Sequence, residues 1–566
     1  MASSSPFRFS PRPNSASEIP WREWDAEVFE AAVASDRPVL LSLAAAWAPS
    51  SHAFDETLFS DERVAFELAT NTIPLRVDID ERPDVAVRYG ELDQPCIAIL
   101  TPRGEPMECL MDPSAADLLA AIEDAHTRWA DRRSEVVAEI EVTERVRTEE
   151  PQLEPGDLSP VLLDIALELT ASARGAAGPV VVRLWLYAHR RRTDLQAGLR
   201  ARASIQRRVD GGGVDRESGA FRHCLGAGGD CDVGRAGAQG EWLSVLARIA
   251  SEDSEAHEWA FDVVERVIAY LERALLETTG GFRDSVGDDR LFALANAQIA
   301  RGLLACGVTF NRSDWRSRGR TAADFVGQRL RAGAAGVYHV WDGMPSQLGF
   351  LADQVGSAQA FLDAYEVTGE ADFLAQAQAQ VRVLERQFRT PDGVFRDVDL
   401  LHDSTTLLGE RRVPLLENAE VAELMIRLGH LTHDDRYLDG AYAILSAFAG
   451  EVTQAATDID GACALARVAD RLLSLEPEVK LIAFSPPTEA DSVADPLHSE
   501  ALRLVLAGHT VQRLHPGFDD ELIAQLGVVA STAGAFCFVA GQYGSLMTHP
   551  DELLPAIERQ LAARRF

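Results

Sequence analysis

The chain has 566 residues, of which 46% are hydrophobic, and carries 88 acidic against 54 basic side chains, for a formal net charge of −34. This length predicts roughly two to four domains. A surface this acidic repels phosphate backbones and anionic lipid headgroups, so nucleic acid and membranes are excluded as expected partners. The cations are almost all arginine, with Lys480 as the one lysine; coding bias and adaptation to salt both explain this composition.

The N-terminal segment and the cysteines indicate the compartment. The N-terminus, MASSSPFRFSPRPNSAS, lacks the apolar core of a signal peptide, and no apolar run approaches the roughly 20 residues of a membrane span. Seven cysteines are scattered along the chain, and such an odd, sparse set fits a reducing compartment. Cys224 and Cys231, with His223, bracket a Gly-rich loop but lack a fourth ligand and metal-site spacing. We therefore expect a cytoplasmic protein without a metal or a cofactor.

Residues 1–18 are rich in Ser and Pro and are predicted to be disordered. Strand and helix signals then alternate over residues 19–131, and this order predicts a mixed α/β layer. The predicted strands are Val39–Leu43, Ile73–Ile79, Cys96–Leu100 and Pro106–Met111, the last antiparallel to the third. The predicted helices are Glu27–Ala34, Phe54–Thr70, Pro83–Tyr89 and Ser114–Trp129.

The segment from Val39 to Phe54 reads VLLSLAAAWAPSSHAF. A buried strand, a short turn and a helix start form the context in which a thioredoxin-like fold carries Cys-x-x-Cys. Thiol exchange needs a thiolate of lowered pKa and a second cysteine that resolves the mixed disulfide. Here the four positions are Ala48, Pro49, Ser50 and Ser51, and either serine can instead cap the helix. The sequence therefore predicts a redox-inactive domain.

Residues 132–156 are charged and predict a linker or helical extension, and residues 157–475 predict a helical domain. Two weak repeats recur there at about 56 to 64 residues, which fits two helices plus loops. One repeat is a Gly turn followed by an aromatic and a cation or His, at residues 219–222, 280–283, 336–339 and 393–396. The other is an aromatic after a polar turn, at Trp259, Trp315, Phe373 and Tyr437. About six stacked helical hairpins that close into a ring are expected, with each Gly shaping a turn and each aromatic packing between layers.

Residues 476–566 predict a small α/β segment. Its predicted strands are Val479–Phe484, Thr510–Leu514 and Gly534–Gly541, and its predicted helices are His498–Ala507 and Pro550–Ala563. The segment has no Gly-rich phosphate-binding loop between a strand and a helix.

Residues 72–105 resemble the second half of thioredoxin, with Pro95 at the position of its cis-proline. The D-x-D-E-R-P-D-V string from Asp78 to Val85 resembles the DUF255 family more sharply, as does the segment from Trp21 to Trp24. That family includes YyaL-type and spermatogenesis-associated thioredoxin-like proteins. The resemblance covers the whole chain and implies a thioredoxin-like domain, an (α/α)6 toroid similar to six-hairpin glycosidases and sugar epimerases, and a small C-terminal α/β segment.

This sequence departs from the family pattern at several positions. The family's C-H-W-C-H falls on residues 48–52, which leaves a degenerate redox site of Ala48, Ser51, His52 and Pro95. The family's H-F-E-K-M segment falls near Glu241, and its W-N-G helix start keeps only Asn296. A paired Asp of a later helix is reduced to Asp353.

Sugar chemistry in a toroid funnel uses paired carboxylates or His bases, with aromatic rings that stack on the sugar. The candidate acids are Glu241, Asp284, Asp353, Asp397 and Glu417, and the candidate bases are His339 and His402. The candidate binding residues are Asn296, Asn418, Trp242, Tyr338 and Trp341. Each of these side chains also has a plain structural explanation, as a solvated, capping or packing residue.

Three functions follow from these observations. The first is a redox-inactive family member whose thioredoxin-like domain docks a protein partner or is structural, and whose toroid binds a carbohydrate or another small ligand. The alternative is a sugar-active enzyme, an epimerase or a glycosidase-like hydrolase that uses toroid carboxylates. The third is a thiol–disulfide oxidoreductase, against which residues 48–51 argue.

Overall fold

The structure is a computed structural model. It describes residues 7–90, 96–148, 153, 155–171, 177–222, 234–400, 406–409, 412–450, 452, 458–474, 478–482, 497, 500–501, 503–504, 510–514, 520–526, 534–539 and 542–563.

The N-terminal part is a four-stranded sheet with helices on both faces. Its strands are β1 (Val39–Ala44), β2 (Ile73–Asp78), β3 (Cys96–Leu100) and β4 (Pro106–Leu110), and its helices are α1 (Ala26–Ser35), α2 (Pro49–Ala53), α3 (Glu62–Asn71), α4 (Pro83–Tyr89) and α5 (Ala115–Asp131). The strand order is β2-β1-β3-β4, with β1 parallel to β2 and antiparallel to β3. Leu41 and Leu43 of β1 pack with α1 and α4, whereas Leu40 packs with α3 and α5. This is the predicted thioredoxin-like arrangement.

The helix predicted over Phe54–Thr70 is divided in the structure. A π-helical turn spans Phe54–Leu58, the chain turns at Ser60, and α3 begins only at Glu62. The Asp61 side chain accepts hydrogen bonds from the backbone N–H groups of Arg63 and Val64. An aspartate in this capping role starts a new helix, and hydrophobic spacing alone did not show it.

The disorder predicted for residues 1–18 is wrong for residues 7–18. The Ser10 N–H donates to Asp55 at 2.9 Å, and the Arg8 guanidinium pairs with Asp289 at 2.7 Å. Phe9 lies under the Arg76 guanidinium, 4.6 Å from the ring centroid. Aromatic side chains in this Ser- and Pro-rich segment give it apolar surface to bury, which its overall composition conceals.

The middle of the chain is a closed ring of helical hairpins. After α6 (Arg133–Thr148), its helices are α7 (Val161–Ala171), α8 (Pro179–Arg192), α9 (Leu195–Arg208), α10 (Ala236–Glu252), α11 (Ser254–Tyr270), α12 (Ala293–Thr309), α13 (Ser313–Arg329), α14 (Leu351–Thr368), α15 (Ala371–Gln387), α16 (Leu415–Thr432), α17 (Asp435–Ala447) and α18 (Ile459–Leu473). Helices α8, α10, α12, α14, α16 and α18 contact one another in sequence, and α18 returns to α8. The other helices of the ring pack outside them, and α7, the first, packs on α18, the last. The predicted (α/α)6 toroid is therefore confirmed.

The repeated Gly turns lead into the inner helices. Gly219, Gly280, Gly336 and Gly393 all have φ between 84° and 96°, a conformation that residues with a Cβ rarely adopt. Each turn is closed by a single β-bridge, which joins Val214 to Phe221, Leu276 to Phe282, Arg331 to Val337 and Arg389 to Phe395. The glycines of the repeat are therefore explained by the backbone conformation that these turns require.

An amide side chain in each of four inner helices grips the turn before it. These amides are Gln239, Asn296, Gln354 and Asn418, each the fourth residue of its helix. Each accepts from the backbone N–H and donates to the C=O of one turn residue, namely Phe221, Phe282, Val337 and Phe395 in that order. We call these contacts the amide clamps. They satisfy backbone groups that burial would otherwise leave without hydrogen bonds.

The remaining elements are short. A small sheet between hairpins contains β5 (Leu291–Phe292), β6 (Val340–Trp341) and β7 (Pro345–Ser346). The C-terminal segment contains β8 (Glu478–Ile482), β9 (Thr510–Leu514), α19 (Asp520–Gln525), β10 (Gly534–Val539), β11 (Gln542–Tyr543) and α20 (Leu553–Ala563). Its strand order is β11-β10-β8-β9. The helix predicted over His498–Ala507 lies mostly outside the described residues. No helix in the described parts of the chain has the length and apolar character needed to cross a membrane.

Candidate functional site

The turn that would carry Cys-x-x-Cys is held by structural hydrogen bonds. The Ser51 hydroxyl, 2% exposed as a residue, accepts from the Ala45 N–H at 2.9 Å, and His52 Nε2 lies 2.9 Å from the Ala46 carbonyl oxygen. Neither serine caps α2, which has no side-chain cap and begins at Pro49, so the predicted capping role is wrong. Pro95 lies outside the described residues. The side chains present hold the turn in place and offer no thiol.

The face of the thioredoxin-like domain that carries this turn is covered by the toroid. Trp47, immediately before the turn, is 5% exposed, and its Nε1 donates to Asp80 at 2.7 Å. The Arg235 guanidinium, from the residue preceding α10, lies 4.8 Å from the centroid of the Trp47 ring. Leu407 and Leu408 of the toroid complete the hydrophobic core under α1 and α4.

The Asp78–Val85 string is the main docking element. Asp78 pairs with Arg290 at 2.9 Å, Asp80 with Arg235 at 2.6 Å, and Glu81 with Arg290 at 2.8 Å. Burial raises the pKa of Asp78 and of Asp80, although these arginines oppose the shift. We call the following residues the interdomain charge cluster: Asp78, Asp80, Glu81, Arg235, Asp284, Asp288 and Arg290.

Several predicted catalytic residues belong to this interface. Asp284 pairs with Arg235 at 2.9 Å, and Asp397 pairs with Arg88 of α4 at 2.8 Å. His339 is 7% exposed, with Nδ1 2.7 Å from Asp353 and Nε2 2.6 Å from the Asp80 carbonyl oxygen. Burial lowers the pKa of His339, but Asp353 and Asp80 together more than offset this effect, so the pKa is raised. These contacts join the two domains and occupy the polar atoms that a catalytic residue would offer to a substrate. The other candidate base, His402, lies outside the described residues.

The predicted binding residues are engaged in packing. Asn296 and Asn418 are fully buried in amide clamps. Trp242 is 2% exposed and stacks on Phe221 with centroids 5.1 Å apart. Trp341 contacts Phe325 edge to face, and Tyr338 packs against the toroid core. None of these three aromatic residues lines the bore cavity.

The bore of the toroid is polar. A cavity of about 20 Å³ lies among the inner helices, lined by Arg183, Glu241, Ser244, Leu294, Gln298, Arg301, Gly356 and Glu420. This volume holds about one water molecule. Four inner helices each place their sixth residue at the cavity, so they line it at the same height along the bore. These residues are Glu241, Gln298, Gly356 and Glu420.

Deeper in the bore, ion pairs tie the inner helices together. Arg427 contacts Asp363 at 2.6 Å and Glu366 at 2.8 Å, and Asp363 also accepts from Arg301 at 2.9 Å. Glu423 pairs with Arg467 at 2.6 Å and with Arg471 at 3.2 Å, and Arg467 holds the pKa of Glu423 well below its usual range despite burial. The floor of the bore is therefore closed by neutralised charges.

The upper bore holds carboxyl groups of a different character. Burial, together with the neighbouring Glu420, raises the pKa of Glu417 to about 7. Burial also raises the pKa of Glu420 and lowers that of Arg183. In the part of the chain that the structure describes, Glu417, Glu420 and Arg183 form no ion pair within 4 Å. A carboxylic acid beside a second carboxyl group can exchange protons with a bound molecule near neutral pH.

The structure thus separates the predicted site residues into two groups. Glu241 lines the bore cavity, and Glu417 lies three residues before Glu420, which also lines it. Asp353, Asp397, Asp284 and His339 instead lie at the domain interface. Arg183 and Glu420 are bore residues that sequence reasoning missed. The three-residue spacing of Glu417, Glu420 and Glu423 on a largely apolar helix was the available signal, since that spacing places them on one face.

A second cavity, of about 120 Å³, lies between the N-terminal segment, the sheet and the toroid. Four arginines line it, and each of them is paired with carboxylates: Arg8 with Asp289, Arg76 with Asp55, Arg82 with Asp84 and Arg290 with Asp288. The positive charge of this cavity is therefore already neutralised.

Among the described residues, no group of three or more His, Cys, Asp or Glu side chains could hold a metal ion.

Residues 2–150 match the family described as "Protein of unknown function, DUF255". A 96-residue stretch is 30% identical to spermatogenesis-associated protein 20 of Rattus norvegicus, covering 17% of this chain and 12% of that protein. The family match thus covers the thioredoxin-like part of the chain, and the matched stretch spans a small fraction of this curated relative.

Solved structures similar to this chain include three sugar-active enzymes. A D-mannose isomerase is 13% identical over 51% of this chain and 85% of its own, with a TM-score of 0.44. A cellobiose 2-epimerase from Bacillus thermoamylovorans is 11% identical over 51% of this chain and 79% of its own, with a TM-score of 0.42. An unsaturated glucuronyl hydrolase specific for heparin is 13% identical over 55% of this chain and 96% of its own, with a TM-score of 0.43.

Proposed function

We propose that this chain is a redox-inactive, cytoplasmic protein whose thioredoxin-like domain is a fixed cover on a ligand-binding toroid. The observation that carries the first part is the structure at residues 47–52. The two cysteine positions hold Ala48 and Ser51, and the adjoining Trp47 is buried against Arg235. A disulfide substrate would meet neither a thiolate nor an open surface beside the Trp47 ring.

The cover is held by the interdomain charge cluster and by apolar contacts. Arg290 is fully buried and bridges Asp78 and Glu81 of one domain to Asp288 of the other. Removing one member of such a cluster leaves buried charges unpaired. A protein partner of the thioredoxin-like domain, which its fold suggests, would bind a surface other than this one.

We propose the upper bore as the ligand site and a small polyhydroxylated molecule, a carbohydrate first, as its occupant. Arg183 and Gln298 offer donors, and Glu241 and Glu420 offer acceptors, around one cavity. Such a set matches alternating hydroxyl groups. The cavity has room for about one water molecule, so a sugar enters only if the side chains that line the cavity move aside.

Insulin reduction by dithiothreitol tests the redox part of the proposal. The rate with this protein should equal the rate without it. An Ala48→Cys/Ser51→Cys variant should stay inactive because residues 48 and 51 are each only 2% exposed. Turnover by the wild-type chain would overturn the proposal. Turnover by the double-cysteine variant alone would still agree with a redox-inactive wild-type chain. It would contradict the proposal that the toroid blocks access to this turn.

Native mass spectrometry and a thermal-shift panel of monosaccharides test the ligand part. A bound sugar should raise the melting temperature of the wild-type chain and not that of Glu241→Gln or Glu420→Gln. Glu258→Gln, on the outer face of α11, is the matched control and should respond as the wild type does. A response that survives both bore substitutions would place the ligand elsewhere.

A second function rests on Glu417, whose pKa of about 7 suits a general acid–base catalyst. We propose sugar epimerisation as the alternative activity, with Glu417 moving a proton at a carbon beside a carbonyl. Solvent deuterium should then enter an aldose or ketose incubated with the wild-type chain. Loss of exchange in Glu417→Gln supports the alternative, and no exchange by the wild type rejects it for the sugars tested.

The domain boundaries stay proposals at 19–131, 132–156, 157–475 and 476–566. Limited proteolysis should cut first within residues 132–156 if that segment is a linker.

A further inference from the structure

One histidine bridges the two domains with both of its ring nitrogens. His339 lies just before β6 of the toroid, and its Nδ1 is 2.7 Å from Asp353 Oδ2 on α14. Its Nε2 is 2.6 Å from the carbonyl oxygen of Asp80, which follows β2 in the thioredoxin-like domain. Both distances are at the short end of the range for hydrogen bonds. The side chain therefore links an inner helix of the toroid to the D-x-D-E-R-P-D-V string.

Both partners of the ring act as hydrogen-bond acceptors. The Asp80 carbonyl oxygen has no proton to donate, and Asp353 Oδ1 also accepts from the Leu294 N–H at 3.2 Å, as an ionised carboxylate does. A neutral imidazole has one N–H group and one bare nitrogen, so it could donate to only one of these oxygens. Two acceptors on the two nitrogens therefore require the doubly protonated imidazolium. The hydrogen-bond geometry thus places a positive charge on His339.

The surroundings of the ring agree with this charge. Phe292 and Phe350 pack against it, with ring centroids 5.2 and 4.7 Å away, and neither carries a charge. Among the described residues, the charged groups that act on the ring are Asp353 from α14 and Asp80 from the end of β2. The Asp80 carboxylate is paired with Arg235 at 2.6 Å. Asp353 therefore supplies the main counter-charge of the imidazolium.

The loss of one ring proton would break the link between the domains. The remaining proton stays on Nδ1, because a hydrogen bond to a carboxylate is roughly twice as strong as one to a neutral carbonyl group. Nε2 then points a lone pair at the Asp80 carbonyl oxygen, which is 2.6 Å away, and two acceptors repel each other at this distance. The contact within the toroid persists, whereas the contact between the domains is lost.

We propose that His339 is a proton-operated latch between the toroid and the thioredoxin-like domain. The protonated ring holds the turn at Asp80 on the toroid, and the neutral ring releases this turn at alkaline pH. Since the pKa of His339 is raised from an ordinary 6.5 in the folded chain, the stabilisation by the latch is fully present below about pH 6.5 and is lost as pH rises through the raised pKa. The latch rests on the cover proposed above and is independent of the ligand in the bore.

Nitrogen NMR of the full chain with isotope-labelled histidine tests the protonation state. His339, assigned by the signal missing from His339→Leu, should show two protonated ring nitrogens at pH 7.0. A histidine with the ordinary pKa is only roughly a quarter protonated at this pH. His430→Gln is the control and should keep the signal, because burial lowers the pKa of His430 to about 4. A neutral His339 ring at pH 7.0 would overturn the proposal.

Hydrogen exchange measured by mass spectrometry tests the link between the domains. At each pH, the exchange rate of residues 78–82 in His339→Leu is divided by the wild-type rate, which cancels the intrinsic effect of pH on exchange. This ratio should be on the order of tenfold at pH 6, where the variant lacks a charged hydrogen bond. It should approach 1 near pH 9, because the wild-type latch is then open as well. Residues 254–270, in α11 on the outside of the toroid, should give a ratio near 1 throughout.

A ratio for residues 78–82 that stays constant from pH 6 to pH 9 would show an ordinary structural contact and would overturn the latch. If His339→Leu does not fold, Asp353→Asn replaces it. Loss of the Asp353 charge lowers the pH at which the latch opens, so its ratio should pass through a maximum near pH 7. Absence of this maximum would overturn the latch too.

Failure of the latch can be distinguished from failure of the cover. Insulin reduction by Ala48→Cys/Ser51→Cys at pH 6 would contradict the cover itself. Exchange of residues 78–82 that stays slow in the wild type through pH 9, after correction for the intrinsic rate, would contradict only the latch.

Discussion

At the scale of single residues, Ser51 occupies a position where the family pattern has a cysteine, and its hydroxyl has a structural task. It accepts from the buried Ala45 N–H at 2.9 Å. Ser51→Ala should lower the free energy of unfolding by about 1–2 kcal/mol, because that backbone N–H loses its partner. Urea denaturation measures the change. Ser50→Ala, at the exposed neighbour, is the control and should change stability by less than about 0.5 kcal/mol.

Glu417 predicts a specific dependence of stability on pH. Its pKa is raised from an ordinary 4.5 to about 7 in the folded chain. Its contribution to the free energy of unfolding is therefore fully present below about pH 4.5 and is lost as pH rises through 7. Glu417→Gln should match the wild type near pH 5 and be more stable near pH 8, by on the order of 2 kcal/mol. Chemical denaturation at both values checks this, with Glu258→Gln as control. Equal stability of Glu417→Gln and the wild type near pH 8 would contradict the burial argument.

Sequence reasoning at this scale identified residue types better than their roles. Glu241 and Glu417 were predicted as acids of the toroid; Glu241 lines the bore cavity, and Glu417 lies three residues before the cavity residue Glu420. Asp353 and Asp397, chosen on the same grounds, pair with His339 and Arg88. A carboxylate in a loop or first helical turn looks the same in sequence whether it meets a ligand or an arginine, and only the fold supplies that neighbour.

At the scale of elements, the amide clamps explain why a weak repeat specifies a regular ring. Asn296 accepts from the Phe282 N–H and donates to the carbonyl oxygens of Phe282 and Phe292, all within 2.9 Å. Asn296→Ala should destabilise the chain by about 2–4 kcal/mol, since buried backbone groups lose their partners. Gln298→Ala, two residues along α12, should cost under about 1 kcal/mol because its contact with Glu241 is 3.4 Å long. Thermal unfolding compares the stability of the two variants. Equal destabilisation by Asn296→Ala and Gln298→Ala would contradict a stabilising role of the amide clamp.

Element boundaries followed from the sequence where turn residues were strong. Pro83–Tyr89 and Cys96–Leu100 match the predicted bounds, because Pro83 and Gly90 limit the helix and the strand is continuously apolar. The Phe54–Thr70 prediction was wrong because hydrophobic spacing continued across the Asp61 cap.

At the scale of the whole molecule, Arg290 fixes one domain on the other. It is fully buried and contacts Asp78, Glu81 and Asp288. Arg290→Met should destabilise the chain by about 3–5 kcal/mol, because it leaves buried carboxylates without a counter-charge. It should also expose Trp47, which tryptophan fluorescence and limited proteolysis would detect.

The matched control is Arg312→Met, which removes ion pairs with Asp314 and Glu265 at the surface. That change should cost less than about 1 kcal/mol. If Arg290→Met unfolds no more readily than Arg312→Met, the interdomain charge cluster does not hold the cover.

The sequence by itself determined the two architectures and the absence of cysteines at residues 48–51, because periodicity, turn residues and residue identity are local properties. Tertiary structure alone decided what the D-x-D-E-R-P-D-V string does. Its carboxylates meet Arg235 and Arg290, more than 150 residues away in the chain, and nothing in the sequence pairs such distant charges. The same reason holds for the bore, where residues of several inner helices meet at one level only after the ring closes.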